Sequence, residues 1–150
     1  MKAAIDLSRK GMEEGMGGPF GCVIVKDNRI VGQGFNRVLE LNDPTAHAEM
    51  VAIRNACSTI HHFQLSGCEL YTSCEPCPMC LGAIYWARPS KVYFANTRAE
   101  ASAIGFDDSF IYDEILVPIE RRKIKMIRLE IPDSITVFEE WTKRPGKVVY

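Results

Sequence analysis

The stretch that most constrains this chain runs from Ser73 to Trp86, Ser-Cys-Glu-Pro-Cys-Pro-Met-Cys-Leu-Gly-Ala-Ile-Tyr-Trp, taken together with His47-Ala48-Glu49 upstream. Pro78 is a favoured first-turn residue, so Cys77 and Cys80 stand at the start of a helix. His47 and Glu49, two apart in the first turn of another helix, do not share a side face and can converge only beyond its N-terminal tip. A fold that uses both motifs must bring two helix N-termini to one point.

The residue types say what that point is for. Positive helix ends lower thiolate pKa values, and thiolate sulfur with imidazole nitrogen is a donor set that zinc prefers. His47, Cys77 and Cys80 supply three ligands, and a catalytic site leaves the fourth position to water where a structural site closes it with protein. Glu49 is placed to handle that water's protons.

Other readings carry less weight. A lone Cys-x-x-Cys is also a redox pair or half a structural zinc knuckle, and Cys74 is an alternative fourth ligand that would close the site. The ordered conjunction of His-Ala-Glu with Pro-Cys-x-x-Cys favours catalysis, since a deaminase signature needs both halves. Cys22 and Cys57 read as core thiols, His61-His62 as solvated loop, and Arg121-Arg122-Lys123 as an exposed face.

With 150 residues and 47% hydrophobic content, the chain can bury a core as a single domain over 1–150. A net charge of -1 gives no basic field for a long nucleic-acid partner. No signal-like or membrane-length apolar run is present, so a cytoplasmic protein with no membrane partner is expected, its six cysteines reduced.

Periodicity and punctuation lay out the elements. A helix is expected over 3–14, ended by Gly15 and Gly17-Gly18-Pro19, then an antiparallel hairpin of 20–26 and 29–35 turning at Asp27-Asn28. After a loop over 36–43, a second helix is expected from Pro44 or Thr45 to about Cys57. A strand over 69–72, the helix opened by Pro78 and a strand over 91–95 predict a right-handed parallel crossover. Beyond it come helical segments at 98–104 and 110–116, a final strand over 124–130 and a closing helix over 133–142.

Pro44-Thr45-Ala46-His47-Ala48-Glu49 and Cys74-Glu75-Pro76-Cys77-Pro78-Met79-Cys80 resemble the cytidine and nucleobase deaminase superfamily, in its branch of tRNA adenosine deaminases and guanine deaminases. The longer run from Tyr71 to Pro89, followed by Gly105-Phe106-Asp107-Asp108-Ser109-Phe110-Ile111-Tyr112, is similar to the bacterial guanine deaminases across almost the whole chain. The resemblance implies a cytidine-deaminase-like α/β fold, a three-layer α/β/α sandwich with a mixed five-stranded sheet. It also implies one zinc per chain and hydrolytic attack at C2 of guanine, giving xanthine and ammonia.

Residue by residue, the resemblance assigns the zinc to His47, Cys77 and Cys80, the proton shuttle to Glu49 and a second carboxylate to Asp108. It assigns the purine edge to Asn36, aromatic walls to Phe20 and Trp86, and closure of the pocket to Tyr150. A carboxylate at Asp108 suits guanine, which offers N–H donors at N1 and N2, whereas adenine's N1 is an acceptor. Asp107 and Asp108 are also simple caps for the next helix.

The resemblance further implies a homodimer with the C-terminal segment, about 131–150, swapped between subunits. A guanosine deaminase is the nearest rival. A tRNA adenosine deaminase is less favoured, because 96–101 and the C-terminal region lack a basic stripe. A structural zinc or nucleic-acid-binding protein is the non-enzymatic alternative.

Overall fold

Gly21–Lys26 (β1) and Arg29–Phe35 (β2) form the expected antiparallel hairpin. Asp27 and Asn28 both take positive φ, 49° and 59°, the two-residue turn whose twist matches flanking strands. The register slips between Ile24 and Val25, leaving Val31 as an extra residue on β2. Glu69–Cys74 (β3) pairs antiparallel with β1, and Lys91–Asn96 (β4) pairs parallel with β3. The sheet is therefore mixed, in the order β2-β1-β3-β4.

This computed structural model describes residues 1–150, which divide into two units, Met1–Ile111 and Tyr112–Tyr150. In the first unit the helices cover the sheet on both faces. Lys2–Glu13 (α1) packs where Gly21 points, since a Cβ on Gly21 would strike the Ala4 carbonyl and Ser8 N at 2.6 Å. Side chains alternate along a strand, so Cys22 and Ile24 face the opposite layer. There they join Ala48, Ala52 and Ala56 of Ala48–Ile60 (α3) and Ile84 and Ala87 of Pro78–Ala87 (α4) in one core.

The small residues of α3 let it lie almost on the strand backbone. A Cβ on Gly32 would come within 2.5 Å of the Ala52 carbonyl, and one on Gly34 within 2.6 Å of the Ala48 carbonyl. Burial of Ile24, Leu65 and Leu70 contributes about 1.5 to 3 kcal/mol each. This close packing fixes how the N-terminus of α3 stands over β2 and β1.

Several expected boundaries shift for local reasons. Asp43 Oδ1 accepts from Thr45 N and Oγ1 at 2.8 and 2.7 Å, holding 43–46 as a turn, so α3 starts at Ala48 with His47 as its N-cap. The loop over 36–43 contains the short helix Val38–Leu41 (α2). Arg98–Ala103 (α5) follows β4, with Thr97 and Glu100 forming a reciprocal cap.

The sheet holds four strands, and the expected fifth over 124–130 is absent. Its alternation breaks where Met126 and Ile127 are adjacent, so no single face stays apolar, and Ile124 is 82% exposed. Ser109–Leu116 (α6) starts in the first unit and continues into the second. Within the second unit, the Arg122 guanidinium donates to the carbonyls of Val117 and Ile115, and Lys123 N donates to Glu114. Thr136–Lys143 (α7) realises the closing helix, while Leu116, Ile127, Leu129, Phe138 and Val149 remain exposed. No helix is long and apolar enough to cross a membrane, and the six cysteines are all unpaired.

Candidate active site

The two helix starts meet as the motif spacing requires. His47 is the N-cap of α3 and Cys77 the N-cap of α4, both in extended backbone, with Pro78 opening the helix behind Cys77. His47 Nδ1 lies 3.5 Å from Cys77 Sγ and 3.6 Å from Cys80 Sγ. All three donor atoms lie within 4.8 Å of one another.

Those distances test the metal. Zn–S bonds of about 2.3 Å and Zn–N bonds of about 2.05 Å at a tetrahedral angle place sulfur and nitrogen roughly 3.6 Å apart. The observed separations agree, and the donors are the two thiolates and one imidazole that zinc favours. Cys74 is not part of the cluster: its thiol donates to the Thr97 carbonyl at 3.7 Å, and burial pushes its pKa up to about 11. The fourth-ligand alternative therefore has no support in the geometry.

Glu49 stands at the second helical position of α3 and is only 6% exposed. Thr72 Oγ1, from β3, donates to Glu49 Oε1 at 2.7 Å, and Cys80 Sγ donates to Oε2 at 3.4 Å. Burial raises the Glu49 pKa, which the Thr72 hydrogen bond partly opposes. A carboxyl so held binds a proton more readily than a free one, which suits a group that must take a proton and give it back. Between the thiols, Cys77 is held down to about 4 by the hydrogen bond from Cys80 and by His47, and Cys80 is pushed up by the thiolate beside it. A cation held by His47, Cys77 and Cys80 would take the place of the shared proton.

A cavity of about 700 Å³ opens over these groups, lined by His47, Glu49 and Cys77 and by residues from three loops. Asn36 is buried at its edge, and its Oδ1 accepts from Gly18 N at 3.3 Å and Val38 N at 3.2 Å. With the oxygen so engaged, the amide nitrogen is left to donate. Phe20 supplies an apolar wall.

Asp108 also lines the cavity, where burial and then the Cys77 thiolate raise its carboxyl above the usual range. The capping alternative falls to its neighbour, since Asp107 Oδ1 accepts from Ser109 N at 3.0 Å and is held low by it. The structure thus gives the two aspartates different surroundings.

Two expected site residues are not brought there within the first unit. Trp86 is nine residues beyond Cys77 on α4, about 13 Å along the axis, and it is 64% exposed rather than lining the cavity. Tyr150 is the last residue of the second unit. Conversely, Phe106 and Met79 line the cavity, although neither the motif chemistry nor the resemblance gives them a role there. Phe106 carried a signal, since it follows Gly105 directly at the end of a helical stretch.

Comparison with known proteins agrees with this chemistry. Residues 1–96 match the model of the cytidine and deoxycytidylate deaminase zinc-binding region. The guanine deaminase of Bacillus subtilis is 51% identical over 100% of this chain and 96% of its own length. The crystal structure of a guanine deaminase from Bacillus subtilis superposes with a TM-score of 0.96, covering 99% of this chain and 95% of that one. A tRNA-specific adenosine deaminase of Aquifex aeolicus is 44% identical over only 63% of this chain and 62% of its own length. The match therefore runs on past the shared metal motif, through Asp108 to the last residues, and the chain belongs to the guanine deaminase family of the zinc-binding cytidine and deoxycytidylate deaminases.

Proposed function

We propose that the protein hydrolyses guanine to xanthine and ammonia. The observation that carries this reading is the presence, in one cavity, of an amide donor at Asn36 and a carboxylate at Asp108 beside the buried Glu49 and the His47, Cys77, Cys80 cluster. Guanine offers acceptors at O6 and N7 and donors at N1 and N2, so each polar group has a complement.

The three donors would hold one zinc per chain, which as a Lewis acid lowers the pKa of a water to about 7. Glu49 accepts a proton from the attacking water and passes it to N3, the unprotonated ring nitrogen beside C2. Thr72 keeps Glu49 turned toward that proton. Asp108, a carboxylate with its proton affinity raised, takes the remaining proton of the attacking water and hands it to the departing amino group, so that ammonia leaves as the C2 carbonyl of xanthine forms. Asn36 and Phe20 orient the base and shield its faces.

The same reading makes the protein a cytoplasmic homodimer in which the segment of about 131–150 is exchanged and Tyr150 closes the pocket of the partner subunit. The exposed apolar side chains of Phe138, Trp141 and Val149 support it, since such surface is usually covered. Light scattering of the purified protein gives the mass of two chains on this view, and removal of 147–150 relaxes selectivity for the free base.

Ammonia release measured on guanine, guanosine, adenine, cytosine and a tRNA anticodon stem-loop tests the substrate. Guanine is expected to be turned over well ahead of the others. Robust release from another member with none from guanine refutes the assignment.

A further inference from the structure

The segment joining α5 to α6 is anchored more heavily than a surface loop needs to be. The Thr97 and Glu100 cap fixes the start of α5, and its end is closed by two bonds, Gly105 N to the Ser102 carbonyl and Phe106 N to the Ala101 carbonyl, both at 3.0 Å. This is a Schellman ending, which requires the positive φ of 96° that Gly105 adopts. It turns the chain so that the Phe106 ring crosses to the strand side of the cavity, where it meets Phe20 edge to face at 4.9 Å and 88°.

The place it enters exists because residue 18 is glycine. A Cβ there would lie 2.8 Å from Phe106 Cζ and 2.9 Å from Phe20 Cε2. Gly18 N also donates to Asn36 Oδ1, so the slot belongs to the wall that carries Asn36. On the far side of Phe106, Asp107 caps α6 through Ser109 N. Asp108 therefore sits between a ring pinned in the Gly18 slot and a helix start pinned by its own cap.

We infer that Phe106 is the positioning residue that holds Asp108 at the cavity, through the ring's seat against Gly18 and Phe20. The inference rests on the role given above to Asp108. With the seat empty, Gly105 leaves the 105–108 backbone free to swing, and Asp108 no longer meets the departing amino group. A misplacement of about 1 Å is enough to cost on the order of 10²-fold in rate.

The test is a cycle on the zinc-loaded enzyme with guanine: Phe106→Ala, Phe106→Leu, Gly18→Ala, Asp108→Asn and the double variant Phe106→Ala with Asp108→Asn, each checked for zinc content. Phe106→Ala is expected to lower kcat roughly 10- to 100-fold with KM moved less than about threefold. Phe106→Leu, which refills the slot, recovers most of the loss, and Gly18→Ala, which displaces the ring, reproduces it. In the Asp108→Asn background, Phe106→Ala adds less than about threefold, as expected when one residue acts through the other.

Losses that multiply in the double variant, or a raised KM with kcat kept, overturn the inference, because Phe106 then acts on the substrate itself. If Phe106→Ala does not fold, Gly18→Ala and Phe106→Leu decide it: wild-type kcat in Gly18→Ala refutes it. Full activity in Asp108→Asn removes the role of Asp108 and the inference with it. Absence of guanine turnover in the unaltered enzyme refutes the substrate instead.

Discussion

Replacing Glu49 by glutamine isolates proton transfer from every other job at the site. Glutamine keeps the length and planarity of the side chain, and Thr72 Oγ1, 2.7 Å from Oε1, donates to an amide oxygen as well as to a carboxylate. The new amide nitrogen faces Cys80 Sγ, 3.4 Å from the present Oε2, where it donates to a thiolate. Glu49 is not one of the three clustered donors, so zinc content should stay at the wild-type level. The buried charge disappears, and with it a desolvation cost, so stability is kept or rises by about 1 kcal/mol.

What glutamine cannot do is accept the water's proton. General acid-base catalysis contributes about 10²- to 10⁴-fold, or roughly 2.7 to 5.4 kcal/mol of barrier at 1.36 kcal/mol per decade. Because Glu49 both takes the proton and returns it, the loss is expected in the upper half of that range. Steady-state ammonia release from guanine, run beside zinc quantification and a thermal melt, reads all three quantities. A fully zinc-loaded, folded Glu49→Gln enzyme with kcat within about tenfold of wild type refutes the assigned role.

Three further outcomes follow from particular contacts. Asn36→Asp keeps an oxygen for Gly18 N and Val38 N but removes the amide donor, so the fold is expected to survive while kcat/KM for guanine falls by about 10²-fold or more, measured by initial rates. Gly34→Ala forces a Cβ to within 2.6 Å of the Ala48 carbonyl and 2.8 Å of Ala52 N, backbone that cannot step aside cheaply, and should cost about 1 to 3 kcal/mol in denaturant unfolding. Chelation is expected to abolish turnover, and zinc retention to fall as pH drops, because protons compete for the Cys77 and Cys80 thiolates; equilibrium dialysis across pH 5 to 8, roughly the working range, reads the slope.

How much of this was legible in the residues depends on whether a local rule governed the feature. The metal cluster was, because Pro78 and the two-residue spacing of His47 and Glu49 each restrict where a side chain at a helix start can point. The hairpin was, since Asp27-Asn28 leaves little choice of turn. The start of α3 was misjudged by about three residues because the Asp43 and Thr45 bonds that a cap would use serve a turn instead. The partition between Asp107 and Asp108 was open, since either residue can cap α6 and only the folded loop decides which one does.

The expected fifth strand shows a different limit. Alternation over 124–130 reports which face would be apolar, and says nothing of whether a strand edge lies beside it; β4 has β3 as its one partner in the sheet. Phe106 was hidden for a related reason, because its importance depends on the absence of a side chain at Gly18, 88 residues earlier, which no spacing rule connects to it. Trp86 is the opposite case. The start of α4 at Pro78 was readable, and a rise of about 1.5 Å per residue carries Trp86 more than two helical turns from Cys77. An aromatic that far along the same helix cannot wall a cavity built on the helix N-terminus of its own chain, so helix geometry alone argued against that placement.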